Sequence, residues 1–211
     1  MEGFKKFGDW KYEDVAYILG IKRVFEHPLL EDWLSANHKP PEQHLAFIEE
    51  LRKELFQKID SFNEEELKVY FIGPFIRLIP FWEGGRRPFL DRQMSFEYVD
   101  GKKTSGKVDW MLAEGIQNPT RPYFFLHEYK KELDASGDPL GQLLISMIGA
   151  KKQNEIDFPL YGCYVTGRNW FFVVYDGEQY AVSNAFNAAD QDILKIYSYL
   201  KEVAEKVKQI R

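Results

Sequence analysis

Two carboxylates and a lysine stand in neighbouring predicted strands, where they could do metal or acid–base chemistry together. Asp109 lies in one short apolar segment, and Glu128 and Lys130 end the next one. Side chains two residues apart in a strand point to the same face. Glu128 and Lys130 therefore project together, Tyr129 points to the opposite face, and an aspartate on an adjacent strand can meet the first pair.

Such a trio is suited to a hard divalent cation. Two carboxylates and a backbone carbonyl are ligands that Mg²⁺ or Mn²⁺ accepts. The cation would polarise a phosphodiester and lower the pKa of the attacking water, and Lys130 would orient that water or stabilise charge on the phosphate. The alternative is an exposed ion pair worth under about 1 kcal/mol. The apolar run Tyr123 to Leu126 before Glu128 favours a buried strand, where unpaired charges are costly.

The surrounding elements predict an α/β protein with a mixed central sheet flanked by helices. Residues 1–61 predict a helical N-terminal extension, and residues 62–211 predict the domain that carries the chemistry. Asn63 is a predicted helix cap, and Pro74 is expected to bend or shorten the helix that follows. Helices are also predicted at 13–21, 42–61, 140–154 and 187–209, and strands at 95–99, 107–112, 123–130, 160–166 and 169–175.

In this arrangement the chain resembles the PD-(D/E)XK nuclease superfamily, in the branch that includes the N-terminal nuclease domains of type I restriction enzymes. The resemblance spans about residues 62–180. It rests on the Asp109 strand, on Glu128-x-Lys130, on the following helix GQLLISMIGAKKQN, and on NEEELKVYFIGPFIRLI, which is similar to the first core helix of that branch. The resemblance implies a restriction-endonuclease-like core.

The resemblance also implies roles for single residues. Asp109, Glu128 and Glu64 would hold Mg²⁺ or Mn²⁺, Lys130 would be catalytic, and Gln142 would support it. Glu66 is the second choice for the position given to Glu64.

Two departures and two alternatives stand beside these roles. The named Pro-Asp pair is Val108-Asp109 here, and the chain has no P-loop of the form GxxxxGK[ST], so no motor is attached. Glu64 could serve only the dipole at a helix start. Gln142 could be a surface helix residue.

Several basic residues near the proposed site are candidates for phosphate contacts. They are Lys107, Lys131, Arg86 and Arg87. Trp82 or Trp110 could stack on a base. The alternative is that they are ordinary surface charges, because the formal net charge of −5 does not indicate a basic nucleic-acid-binding domain.

Composition bounds the remaining classes. The 211 residues contain a single cysteine, Cys163, which excludes an intramolecular disulfide and a multi-cysteine zinc site. Three histidines, His27, His38 and His44, lack metal-ligand spacing. No stretch resembles a signal peptide or a transmembrane helix. A cytoplasmic, reducing location is therefore expected.

The sequence leaves three hypotheses. The first is a Mg²⁺-dependent nuclease that hydrolyses phosphodiester bonds, with DNA as the expected substrate and a homodimer as one form in which it would act. The second is a catalytically inactive module of the same fold that binds nucleic acid or a protein partner. The third is an interaction protein whose helical arm at residues 1–61 docks a partner.

Overall fold

A mixed sheet forms the centre of the protein. The computed structural model describes residues 4–83, 85–132, 137–154 and 157–210, with backbone only at 121–126. The strands are β1 (Phe4–Lys6), β2 (Lys22–Arg23), β3 (Arg86–Val99), β4 (Lys102–Glu114), β5 (Thr120–Lys130), β6 (Leu160–Thr166), β7 (Asn169–Tyr175), β8 (Gln179–Val182) and β9 (Phe186–Asn187).

Helices flank this sheet. They are α1 (Tyr12–Leu19), α2 (Pro28–Leu34), α3 (Glu42–Lys58), α4 (Glu64–Leu67), α5 (Gly73–Ile76), α6 (Pro139–Gln153) and α7 (Asp192–Gln209). Short 3₁₀ turns stand at Phe7–Asp9 and Ile59–Ser61, and a π-helical turn, Lys68–Ile72, joins α4 to α5. No helix in the described ranges is both long enough and apolar enough to cross a membrane.

The strand order mixes parallel and antiparallel neighbours. Within the described residues the sheet has nine strands, in the order β1-β4-β5-β6-β7-β8-β2, with β3 also on β4 and β9 also on β7. The pairs β3–β4, β4–β5 and β6–β7 are antiparallel, whereas β5 and β6 are parallel and joined through α6. The predicted class, an α/β fold with a mixed central sheet flanked by helices, is confirmed.

Residues 4–61 are mainly helical, as predicted, but they also supply two strands and part of the core. β1 pairs with β4 and β2 pairs with β8, both in parallel. The Trp33 side chain is fully buried, and its ring lies 5.0 Å from the rings of Tyr161 and Phe172. The boundary between residues 61 and 62 stays a prediction, and the two parts share one sheet.

Close packing of α6 on the sheet sets the position of the strand that carries Glu128. A Cβ at Gly162 on β6 would stand 2.9 Å from the sulfur of Met147 and 3.2 Å from a methyl of Leu143, so only glycine fits there without displacement. Leu143 and Met147 on α6 are fully buried. Because β6 is the parallel neighbour of β5, this contact anchors the layer behind the proposed site.

The helix over residues 64–76 widens at its centre. Pro74 has no N–H to donate to the carbonyl four residues earlier, and its ring crowds that carbonyl. The π-helical turn at Lys68–Ile72 directly precedes it, and such turns accommodate this kind of disruption. Pro74 therefore disturbs the helix as expected, but it does so by widening one turn, and the helix continues to Ile76.

The hairpin of β3 and β4 is longer than the sequence predicted. β3 begins at Arg86 and not near Ser95, because it pairs along almost its whole length with β4. Asp91 in its middle has a φ of 51°, in the left-handed region that Asp tolerates better than most side chains do. Leu90 and Arg92 pair with β4 on either side of it.

Candidate functional site

Strand pairing brings Asp109 and Glu128 together. Trp110 pairs with His127 across the antiparallel β4–β5 ladder. Asp109 and Glu128 are the adjacent residues in this register, so both project from the opposite face of the sheet. The side chain of Asp109 is 14% exposed and that of Glu128 is 6% exposed.

The helix that begins at α4 brings a carboxylate and a lysine to the same place. Lys68 Nζ lies 2.8 Å from Glu64 Oε1 and 3.0 Å from Asp109 Oδ1. The second oxygen of Asp109 accepts a hydrogen bond of 2.9 Å from the backbone N–H of Tyr129. Asp109 is thus held on both oxygens, by a side chain from the helix and by the backbone of β5.

Lys130 closes the group. Its Nζ lies 3.4 Å from Glu128 Oε1 and 3.6 Å from Glu64 Oε2. Carboxylates and ammonium groups therefore alternate in one chain of contacts. We call this set the charged cluster: Asp109, Lys68, Glu64, Lys130 and Glu128.

Burial dominates the electrostatics of the two strand carboxylates. It raises the pKa of Glu128 to about 8, and the negative charge of Asp109 adds to the rise, while Lys130 opposes it. Burial also raises the pKa of Asp109, against the lowering effects of Lys68 and of the Tyr129 amide. A cation placed between these side chains would relieve this cost.

The two lysines remain charged. Burial alone would lower the pKa of Lys68, but hydrogen bonds and charge interactions with Glu64 and Asp109 outweigh burial and raise it. The pKa of Lys130 is raised in the same way, because Glu128, Glu64 and Asp109 together outweigh its burial. Both ammonium groups thus already neutralise part of the acidic charge.

Lys68 is the member of the cluster that sequence reasoning missed. Its signal was present, because Glu64 and Lys68 are four residues apart on a helix and such residues are neighbours. That spacing normally indicates an exposed ion pair of little consequence. Only the fold shows that Lys68 reaches Asp109 on β4, with 19% of its side chain exposed.

Glu64 and Glu66 have separate tasks. Glu66 Oε2 accepts from the Asn63 backbone N–H at 2.8 Å, and the Asn63 side chain accepts from the Glu66 N–H, which together form a capping box. Glu64 instead contacts both lysines of the charged cluster. The predicted Asn63 cap is confirmed.

The contacts of Glu64 and Glu66 predict different effects when each is replaced by glutamine. If the cluster catalyses a reaction, Glu64→Gln is expected to lower the rate by about 10-fold to 100-fold, as for residues that orient a site. Glu66→Gln keeps the cap, since glutamine also serves at this position, and should leave the rate within about twofold. Initial rates and melting temperatures of the two purified variants check this. Equal losses would remove Glu64 from the site.

Gln142 lies apart from the cluster. In the described part of the chain its side chain has no hydrogen bond to any cluster residue. It lines a groove with Lys107, Gln93 and the turn Phe7–Asp9. Lys107 is exposed there. The structure thus pairs Gln142 with a predicted phosphate contact and not with the carboxylates.

The other predicted phosphate contacts are scattered. The Arg86 guanidinium donates to the carbonyl of Val207 at 2.6 Å and to that of Ile210, which caps the end of α7. Arg87 donates to the carbonyl of Ile116 and lies over the Trp82 ring at 5.0 Å. Lys131 is exposed directly after the cluster and lines a groove at the start of α4.

The residues on the opposite face of β5 are packed in the core. His127 is fully buried, and its pairing partner Trp110 is only 4% exposed. Their ring centroids are 4.8 Å apart. Burial lowers the pKa of His127 to about 3, so it stays neutral. The sequence allows His127 to be either a packing residue or a solvent-facing one, and the structure places it in the core.

The donor set can be compared with what a divalent cation needs. Among the described residues, no group of three or more His, Cys, Asp and Glu side chains is arranged to hold a metal ion. Mg²⁺, however, commonly takes only one or two carboxylates and completes its shell with water. The oxygens of Asp109 and Glu128, buried on facing strands, fit that chemistry in kind.

Comparison with known proteins adds no family. No protein-family model matches the chain, and no curated protein matches it.

Proposed function

We propose that the protein is a metal-dependent nuclease that hydrolyses phosphodiester bonds, with DNA as the expected substrate. The observation that carries the proposal is the burial of Asp109 and Glu128 on the neighbouring strands β4 and β5, with Lys130 Nζ 3.4 Å from Glu128 Oε1. Two buried carboxylates with a neighbouring ammonium are the minimum equipment for this reaction. The resemblance to PD-(D/E)XK nucleases supports the same chemistry.

Each residue of the cluster has a task in this proposal. Asp109 and Glu128 would hold Mg²⁺ or Mn²⁺, and the cation would polarise the phosphate and acidify the attacking water. Lys130 would donate a hydrogen bond to that water or to a phosphate oxygen. Lys68 and the Tyr129 amide fix the carboxylate of Asp109. Glu64 joins the two lysines and is a positioning residue.

A second function has its own observation in favour. The lysines already neutralise much of the carboxylate charge without any cation. This arrangement is compatible with a non-catalytic module of the same fold that binds nucleic acid.

The proposal also includes a cytoplasmic location, as expected for a chain with a single buried cysteine.

Cleavage assays on several substrates distinguish the two functions. Plasmid DNA, single-stranded DNA and RNA are incubated with Mg²⁺, with Mn²⁺ and with a chelator. We expect cleavage of DNA that needs the cation and is lost in the chelator. Binding that weakens with salt without any cleavage would favour the non-catalytic module. Neither binding nor cleavage would contradict both.

Calorimetry tests the cation without a substrate. Mg²⁺ and Mn²⁺ are titrated into the wild type and into Asp109→Ala. We expect heat of binding in the wild type and none in the variant. Equal binding by both proteins would place the cation elsewhere.

A further inference from the structure

An apolar pocket lies directly beside the charged cluster. Its volume is about 300 Å³, and Lys68 and Asp109 stand on its wall. One side is a face of the helix over residues 64–76, with Ile72 and Ile76. This volume is at the lower end of the range for small-molecule sites. It suits one flat group and not a longer ligand.

Aromatic side chains form much of the other side. Trp110 and Tyr129 line the inner wall, and Trp82 and Leu90 stand at the mouth. Trp82 is 56% exposed and Leu90 is 62% exposed. Large apolar side chains left in water at the mouth of a pocket commonly mark a binding site. Among these rings Trp82 is the exposed one, and an exposed indole is a surface on which a base can stack.

A base next to the reacting phosphate has the right chemistry for this pocket. Its flat apolar face fits the apolar lining and the exposed ring of Trp82. Its phosphate would lie toward Lys68 and Asp109, which belong both to the pocket and to the cluster. A base paired inside a duplex cannot enter such a pocket without unstacking.

We propose that this pocket receives one unpaired base of the substrate, so that the enzyme acts on single-stranded or frayed nucleic acid. This inference rests on the proposed nuclease function and names its substrate class. An unpaired base pays no unstacking cost on entering, and stacking on aromatic side chains then favours the single strand.

Binding without catalysis tests the pocket. Anisotropy of a labelled oligodeoxythymidylate and of a blunt duplex of equal length is measured in a chelator, so that nothing is cleaved. We expect the single strand to bind roughly tenfold more tightly, the effect of stacking one base. Leu90→Trp narrows the mouth with a larger side chain, which should keep the base out and remove the preference. A stronger preference in this variant would mean that the base stacks outside the pocket and would overturn the proposal. Val99→Trp is the matched control on the same strand, where Val99 is 40% exposed away from the pocket.

The outcomes for pocket and reaction are separable. Equal affinity for single strand and duplex, or equal effects of Leu90→Trp and Val99→Trp, would overturn the pocket even if cleavage is observed. A wild-type dimer that Leu90→Trp dissociates in light scattering would assign the pocket to self-association and also overturn it. A single-strand preference that Leu90→Trp removes would support the pocket. If such a preference is found without any cleavage, only the nuclease function is contradicted.

Discussion

Asp109→Asn is expected to lower metal-dependent cleavage by about 10³-fold, the scale for removing one electrostatic contact of a reaction centre. Both oxygens of Asp109 accept hydrogen bonds, one from Lys68 and one from the Tyr129 amide. An asparagine has one acceptor and one donor group at these positions, so its nitrogen must face a donor. The change removes a negative charge from the proposed cation site and also disturbs the orientation of the side chain.

Initial rates on the best substrate measure this effect, with circular dichroism to verify the fold. Glu178→Gln, an exposed carboxylate in the turn before β8, is the control for a change of net charge. We expect its rate to match the wild type. Cleavage by Asp109→Asn at more than a tenth of the wild-type rate would show that the charged cluster is not the reaction centre.

Glu128→Gln is expected to stabilise the metal-free protein at alkaline pH. The pKa of Glu128 is about 8 in the folded protein against 4.5 for the free group, mainly because it is buried. Between these values the folded state holds a proton that the unfolded state has lost. The free energy of unfolding of the wild type therefore falls as pH rises through this window, by about 1.4 kcal/mol per pH unit. Well above pH 8 the charged side chain costs roughly 5 kcal/mol.

Urea unfolding in a chelator, repeated from pH 5 to pH 9 on wild type and variant, measures the difference. Near pH 5 both side chains are neutral and similar in shape, so the two proteins should be nearly equally stable. By pH 9 the variant should be more stable by several kcal/mol. Glu178→Gln keeps Glu128, so its free energy of unfolding should follow that of the wild type across the whole pH range. A constant difference across the range would mean that Glu128 is ionised throughout.

Local pattern was sufficient for the elements whose ends are marked by turn residues. The strands at 160–166 and 169–175 have the predicted bounds, because Gly167 takes the positive φ that the turn between them needs. Gly101 marks the turn between β3 and β4 in the same way, with a φ of 70°. The Asn63 cap could be predicted for the same reason, since its partners are within three residues.

Local pattern failed where pairing is with distant residues. β1 and β2 have only a few residues, and their partners lie far along the chain. No local periodicity of strand type can develop over such a length. The first half of β3 is a strand because it pairs with β4. Its charged residues Arg86 and Arg87 are typical of a loop, so local pattern does not predict a strand there.

The sequence by itself determined that Asp109, Glu128 and Lys130 could meet in one site, but it did not show that Lys68 joins them. The alternation of a strand places Glu128 and Lys130 on one face and His127 and Tyr129 on the other, whatever the rest of the chain does. It also implied that an aspartate on a neighbouring strand would face them, and the β4–β5 register brings Asp109 there.

Only the tertiary structure decided the energetics of those side chains. Contacts between elements distant in the chain explain three features of the site. Lys68 reaches Asp109, Arg86 donates hydrogen bonds to carbonyls at the end of α7, and an apolar pocket adjoins the cluster. The pKa of Glu128 is raised for the same reason. Burial is a property of everything packed around a residue, and the charge that a carboxylate carries depends on that burial.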